Sequence, residues 1–395
     1  MSIRPIYLDC HATTPLDERV LESMLPYFRE RFGNPSSIGH AYGWEAEAAV
    51  KQARKTLADA INATPEEIVF SSGATEANNL AIKGVAEAYL SKGRHLITIK
   101  TEHRAVLDPC RYLQTLGFEV TFLPVQPDGL LDLNQLEKAI RPDTILVSVM
   151  AANNEIGVLQ PLSEIGEICH QHQVLFHSDA AQAVGKIPLD VQAMKIDLMS
   201  LTAHKVYGPK GIGALYVRRR NPRVRLAPQI QGGGQERGMR SGTLCTPQIV
   251  GFAQAVELAL EEQESEFQRL LKLRESLWQA LSRLEAIHLN GHSTQRLPGN
   301  LNITVEGVDG SALLLGLQPM AAVSSGSACS STDVSPSHVL LALGHSELLA
   351  HASVRFGIGR FNTADEIGQV AQHAIATIKS LRQSRTLSNQ RVQRN

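Results

Sequence analysis

The sequence predicts an α/β fold: a large domain with a mainly parallel sheet covered by helices on both faces, plus a smaller α/β domain. Three observations predict it. Short β-branched runs alternate with helical patterns from about residue 43 to residue 218. Those runs are continuously apolar, as strands buried on both faces are. After about residue 217 the pattern changes, through a glycine-rich loop at 232–234, to long helical stretches and a second, shorter α/β pattern.

Taken in order, strands are expected at 67–70, 95–99, 144–149 and 174–177. A helix is expected after Asp132, a natural N-cap, with Leu133, Leu136 and Ile140 on one face. Another starts at Pro161 and aligns Leu162, Ile165, Ile168 and Cys169. One long helical stretch from about Pro247 to Leu284 is expected to link the two units. The last helix opens with a Thr363/Glu366 capping box and keeps its period through Ile367, Val370, Ala374, Ile378 and Leu381. Residues 384–395 are polar, basic and aperiodic and are expected to fray.

Composition bounds the function. At ~100–200 residues per domain, 395 residues make two or three domains. With 38 basic and 39 acidic side chains the charge balance argues against a dominant nucleic-acid footprint and leaves room for a local basic patch. A content of 43% hydrophobic and 19% charged residues excludes a disordered chain. No apolar run approaches the ~20 residues of a membrane span, and no secretory signal opens the sequence. The five cysteines, Cys10, Cys110, Cys169, Cys245 and Cys329, form no CxxC pair. A disulfide framework is therefore not expected, and a reducing compartment, the cytoplasm, is.

In open α/β sheets ligands bind beyond the C-terminal ends of the strands. Polar clusters stand at four loops of this kind. Residues 71–76 join an apolar strand to a helix, as an ordinary βα turn or as an anion cradle suited to a phosphate. In residues 177–182, Asp179 could balance a ring cation or cap a helix. Cys169, His170, His172 and His177 look superficially like metal ligands, but His170 and His172 stand two apart and share no helix face, so no metal site is expected. In residues 200–211, Lys205 follows a buried-looking strand and precedes a Gly-Pro turn, where desolvation could make its amine a nucleophile. In residues 324–331, Cys329 sits among small polar residues, which suits an accessible thiol. The other four cysteines read as small core or neutral residues.

These clusters, in this order, resemble the pyridoxal-phosphate enzymes of fold type I. More narrowly they resemble the cysteine desulfurases of iron–sulfur-cluster and nitrogen-fixation type. The resemblance rests on residues 7–15 (YLDCHATTP), 33–35, 71–79 (SSGATEANN), 100–103 (KTEH), 153–157 (NNEIG), 177–182, 204–211, 236–243 (ERGMRSGT), 324–329 and 353–359. It implies that Lys205 carries pyridoxal phosphate covalently and serves as a base, that Asp179 pairs with the pyridine nitrogen and Gln182 with the ring hydroxyl oxygen, and that His103 stacks on the ring as an acid/base group. Ala74, Thr75, Thr202 and His204 would hold the phosphate, and Thr243 would reach the phosphate of the second subunit of a homodimer. Arg355, assisted by Asn154, would clamp the substrate carboxylate. Cys329 would take the sulfur of L-cysteine as a persulfide, with release of L-alanine, and pass it to acceptor or cluster-scaffold proteins. Neither nucleic acid nor membrane is an implied partner. A related selenocysteine or cystine lyase, and a non-enzymatic scaffold of the same fold, are the alternatives.

The resemblance also implies a division into a large cofactor domain, residues 15–260, and a small domain built from 1–14 and 261–395. Three departures stand out. Thr202 and Ala203 replace a serine and a glycine. Cys10 and His11 are unusual in their motif, as structural substitutions or as a second redox-sensitive thiol. The tail after Leu381 does not resemble a scaffold-docking segment.

Overall fold

The computed structural model describes residues 4–325 and 335–392, with side chains described to residue 384. In chain order the strands are β1 (Ile6–Tyr7), β2 (Ile68–Ser71), β3 (His95–Ile99), β4 (Glu119–Leu123), β5 (Thr144–Ser148), β6 (Leu175–Asp179), β7 (Leu198–Thr202), β8 (Gly213–Val217), β9 (Ile287–Leu289), β10 (Asn300–Val305), β11 (Ala321–Ala322) and β12 (Ser353–Gly357). Seven of them form one sheet in the order β2-β8-β7-β6-β5-β3-β4. Only β8 runs against its neighbours there; the other pairings are parallel. The expected mainly parallel sheet is thus present.

Consecutive residues of these strands enter opposite cores, which is what the period-2 alternation of a strand requires. Phe70, Ile97, Val147, Phe176, Met199 and Tyr216 face one core. Val69, Leu96, Leu146, Leu175, Leu198 and Leu215 face the other. Burial of each such side chain contributes ~1.5–3 kcal/mol, so a sheet apolar on both faces must have helices on both.

A third core lies against the antiparallel sheet β12-β10-β9. It gathers Leu270, Leu273, Leu277, Leu301, Ile303, Phe356, Ile367 and Val370, and also Leu8 from the start of the chain. There β1 pairs with β11, and the Cys10 N–H donates to the Gly357 carbonyl at 3.0 Å.

The long linking helix is two helices, Thr246–Glu261 and Gln263–Leu281. The first packs Ile249, Phe252 and Val256 on the large sheet, whereas the second buries Leu270, Leu273 and Leu277 in the third core. A straight rod would not serve both, and the break falls at Glu262, whose carboxylate is held by Arg19 (2.7 Å) and Arg360 (3.4 Å). The helix after Asp132 ends at Ala139, one residue before Ile140, because Arg141 precedes a proline and extended backbone is favoured there. The final helix runs from Ala364 to Val392, beyond the expected fraying point; no Gly or Pro interrupts residues 382–392. Its capping box is present: Glu366 N–H donates to Thr363 Oγ1 and Thr363 N–H to Glu366 Oε2.

Candidate active site

The C-terminal ends of β2, β3, β5, β6 and β7 open on one cavity of about 540 Å³. At one end of it the chain leaves β2 through Ser72 and Gly73 into the helix Ala74–Ala88. The first intrahelical bond is Ala77 N–H to Gly73 O, which leaves the N–H groups of Ala74, Thr75 and Glu76 outside the helical ladder. Those donors and the positive end of the helix form an anion cradle. Gly213 on β8 lets the loop lie close: a Cβ there would stand 2.6 Å from Gly73 Cα. Thr202 and His204 flank the cradle from the end of β7. Burial pushes the His204 imidazole down to about 4, helped by Lys205 and Lys210 nearby, so it is neutral at pH 7 and offers hydrogen bonds without charge.

Across the cavity Asp179 closes β6. It is buried and accepts from two neutral donors, Asn78 Nδ2 at 2.6 Å and the Ala181 N–H at 2.9 Å. A carboxylate in that setting is a receptor for a cationic ring N–H. Lys205 projects from the turn after β7, and its Nζ donates to the carbonyls of His11 (2.5 Å) and Ala12 (2.7 Å). The turn is held under strain: Tyr207 has a left-handed φ of 63°, its N–H donates to Thr14 Oγ1 at 2.8 Å and its hydroxyl accepts from the Arg360 N–H.

Arg355, in the middle of β12, reaches the same cavity from the smaller sheet. Nη1 donates to the Asn154 carbonyl (2.8 Å) and Nη2 pairs with Asp9 (2.6 Å), while Nε is buried without a partner among the described residues. A guanidinium in the wall of a cavity is a receptor for an anionic ligand.

The class-V aminotransferase family model matches residues 6–370, which takes in every one of these elements. The chain belongs to the class-V aminotransferase family. Its relatives include the cysteine desulfurase of Homo sapiens, 56% identical over 96% of this chain and 83% of that one. The cysteine desulfurase IscS of Neisseria meningitidis is 56% identical over 96% of this chain and 93% of that one. Among solved structures, a NifS-like protein superposes with a TM-score of 0.88 at 38% identity, covering 95% of this chain and all of that one. SspA in complex with cysteine gives 0.79 at 42% identity, covering 91% of this chain and 100% of that one.

Class-V aminotransferase relatives of the cysteine desulfurase kind depend on pyridoxal phosphate, and the residues present here fit that group. The helix cradle suits its phosphate, buried Asp179 its ring nitrogen, and the Lys205 amine its aldehyde. Ala74, Thr75, His103, Asn154, Asp179, Gln182, Thr202, His204, Lys205 and Arg355, all singled out in the sequence, line the one cavity. His103 stands in its wall, and its Nδ1 accepts from the Ala105 N–H to cap the following helix. Thr243, also singled out, is exposed and does not line this cavity. Cys329 lies outside the described residues.

Two readings of cysteine sharpen. Cys10 is buried, and burial pushes its thiol up to about 12, so it is a packed residue and a poor thiolate. Cys245, expected to be buried or neutral, is exposed, because it stands just before the helix Thr246–Glu261 and off its buried face. Cys110 and Cys169 are buried. His177 is a satisfied core residue between Ser148 and Ser200, and no cluster of three metal-ligating side chains occurs among the described residues. No described helix is long and apolar enough to cross a membrane.

Sequence reasoning did not single out Asn78, Glu102, Glu155 or Lys186. Asn78 stands four residues after Ala74, on the same helix face, a polar residue where the period calls for an apolar one; that signal was available. Glu102 is buried beside Asp179, and its burial raises its carboxyl well above the ordinary range. Glu155 accepts from Ser337 Oγ at 2.5 Å. Arg355 exchanges both main-chain hydrogen bonds with Ser324. The two flanks of residues 326–334 are therefore tied to residues that neighbour or line the cavity.

Burial pushes the Glu155 carboxyl from an ordinary 4.5 up to about 7. A carboxyl raised on folding binds its proton more tightly in the native state. Its contribution is present in full below 4.5 and is lost as pH rises through about 7. Glu155→Gln should flatten the fall in stability across that window by up to about 3 kcal/mol. Urea unfolding of both proteins at pH 5, 6 and 7.5 measures it; parallel pH profiles would refute the assignment.

Proposed function

We propose that this chain removes sulfur from L-cysteine, releasing L-alanine and leaving a persulfide on Cys329 for transfer to an acceptor or cluster-scaffold protein. The observation that carries the reading is the meeting, in one cavity, of an anion cradle, a buried carboxylate, a tethered lysine amine and an arginine guanidinium. Pyridoxal phosphate, bound through Lys205, would supply an electron sink for the carbon chemistry. Ala74, Thr75, Thr202 and His204 hold its phosphate, Asp179 keeps its ring nitrogen protonated, Gln182 meets its ring oxygen and His103 stacks on the ring. In a homodimer Thr243 of each copy reaches the phosphate of the other.

Arg355 and Asn154 orient the substrate carboxylate. Lys205 Nζ takes the α-proton. The Cys329 thiolate then attacks the substrate sulfur: an S–S bond forms, the C–S bond breaks, and its electron pair goes to the carbon side, where protonation yields alanine. The resemblance-based division fits these tasks, with residues 15–260 holding the cofactor and residues 1–14 and 261–395 bringing Arg355 and Cys329. A reducing compartment such as the cytoplasm would keep that thiol available.

The test measures alanine and sulfide formed from L-cysteine under reductant. Cys329→Ala should keep pyridoxal phosphate bound and lose more than ~10²-fold of the rate. Wild-type rates in that variant would rule out the persulfide route.

A further inference from the structure

Behind the wall that carries Lys205 stands a second lysine that the reading above does not use. Lys186 Nζ donates to Gln182 Oε1 at 3.1 Å. The same oxygen lies 3.2 Å from His11 Nδ1, and Gln182 Nε2 donates to the His11 carbonyl at 2.8 Å. Gln182 and His11 are both buried and both line the ligand cavity.

Two of these partners are one-sided. A lysine ammonium only donates and a main-chain carbonyl only accepts. Together they forbid the amide of Gln182 from turning over: its oxygen must face Lys186 and its nitrogen must face the His11 carbonyl. With Oε1 fixed as an acceptor, His11 Nδ1 must carry a hydrogen. The ring is held neutral by burial and by the positive charges of Lys186, Arg355 and Lys205 around it. Nε2 is therefore a bare lone pair, and it is buried without a partner among the described residues. One hydrogen of Gln182 Nε2 is used by the His11 carbonyl, and the second remains for the ligand.

We propose that Lys186 is a positioning residue which, from behind the wall, fixes the polarity of the cofactor site: Gln182 can only donate to the ligand, and His11 is locked as the Nδ1–H tautomer. A site of that polarity selects a ligand oxygen that is an anionic acceptor over a hydroxyl that must donate. The inference rests on the pyridoxal-phosphate reading only for the identity of that oxygen, the ring phenolate; the lock itself belongs to the chain.

The test uses the full chain labelled with [¹⁵N]histidine at pH 7, before and after addition of pyridoxal phosphate. The His11 signals are assigned by their loss in His11→Gln. Wild type should show a protonated Nδ1 and an unprotonated Nε2 in both states. Lys186→Met should mix the two tautomers, weaken pyridoxal-phosphate binding about tenfold and shift the visible band of the bound cofactor. An Nε2–H tautomer in wild type would overturn the proposal, and this measurement stands even if the methionine variant does not fold. So would a folded Lys186→Met with unchanged His11 signals and affinity. The tautomer is read without cofactor and the desulfurase reading by alanine formation, so failure of one is distinguishable from failure of the other.

Discussion

Lys205→Ala should lower alanine formation from L-cysteine by at least ~10³-fold. The visible band that pyridoxal phosphate gives when joined to a lysine should vanish with it. The amine is already held in place by the carbonyls of His11 and Ala12, and the strained Tyr207 turn behind it keeps that position. Removing it takes that donor from the Ala12 carbonyl, a cost of ~1–3 kcal/mol if the carbonyl stays buried, whereas the His11 carbonyl keeps Gln182 Nε2. Urea unfolding of the variant therefore accompanies the assay. A normal visible band would move the attachment to Lys210, the other lysine that lines the cavity.

Arg355→Ala should lower kcat/KM for L-cysteine by ~10²–10³-fold, while pyridoxal-phosphate affinity stays within about threefold. In the proposed reading Arg355 fixes the substrate carboxylate from a strand of the small sheet, with Nη2 tied to Asp9 and Nε without a partner among the described residues. Arg355→Lys should recover little, because an ammonium cannot offer the planar pair of donors. The substitution also leaves the Asp9 carboxylate unpaired, so Asp9→Asn is the matching control for a purely structural effect. A loss of less than tenfold in Arg355→Ala would remove Arg355 from the substrate site.

Much of this arrangement was legible in the sequence because its signals are local. The strands of the large sheet read as continuous apolar runs because both their faces are covered. Ser71, Asp179 and Thr202 stand where those runs stop, and in a parallel sheet the stops fall on one edge. The Thr363/Glu366 box was readable because capping is a contact across three residues. Strand β4, an edge strand with partly exposed side chains, carries no such run and was not singled out.

The contacts that complete the site had no local signal. His11 and Gln182 are 171 residues apart, Glu155 and Ser337 182, and Asp9 and Arg355 346. Glu262 looked like one more charged residue in a helix until two cores claimed the segments on either side of it.

By itself the sequence determined the alternation of strand and helix, the polar clusters at the strand ends and most of the polar residues that line the cavity. Periodicity, capping and turn preference act over a few residues, and they can be read one segment at a time. Only the tertiary structure decided how those clusters face one another, which buried partner each has, and that Lys186 sets the polarity of the wall. These depend on which distant segments burial brings together, and a buried donor or acceptor takes its role from whatever stands opposite it.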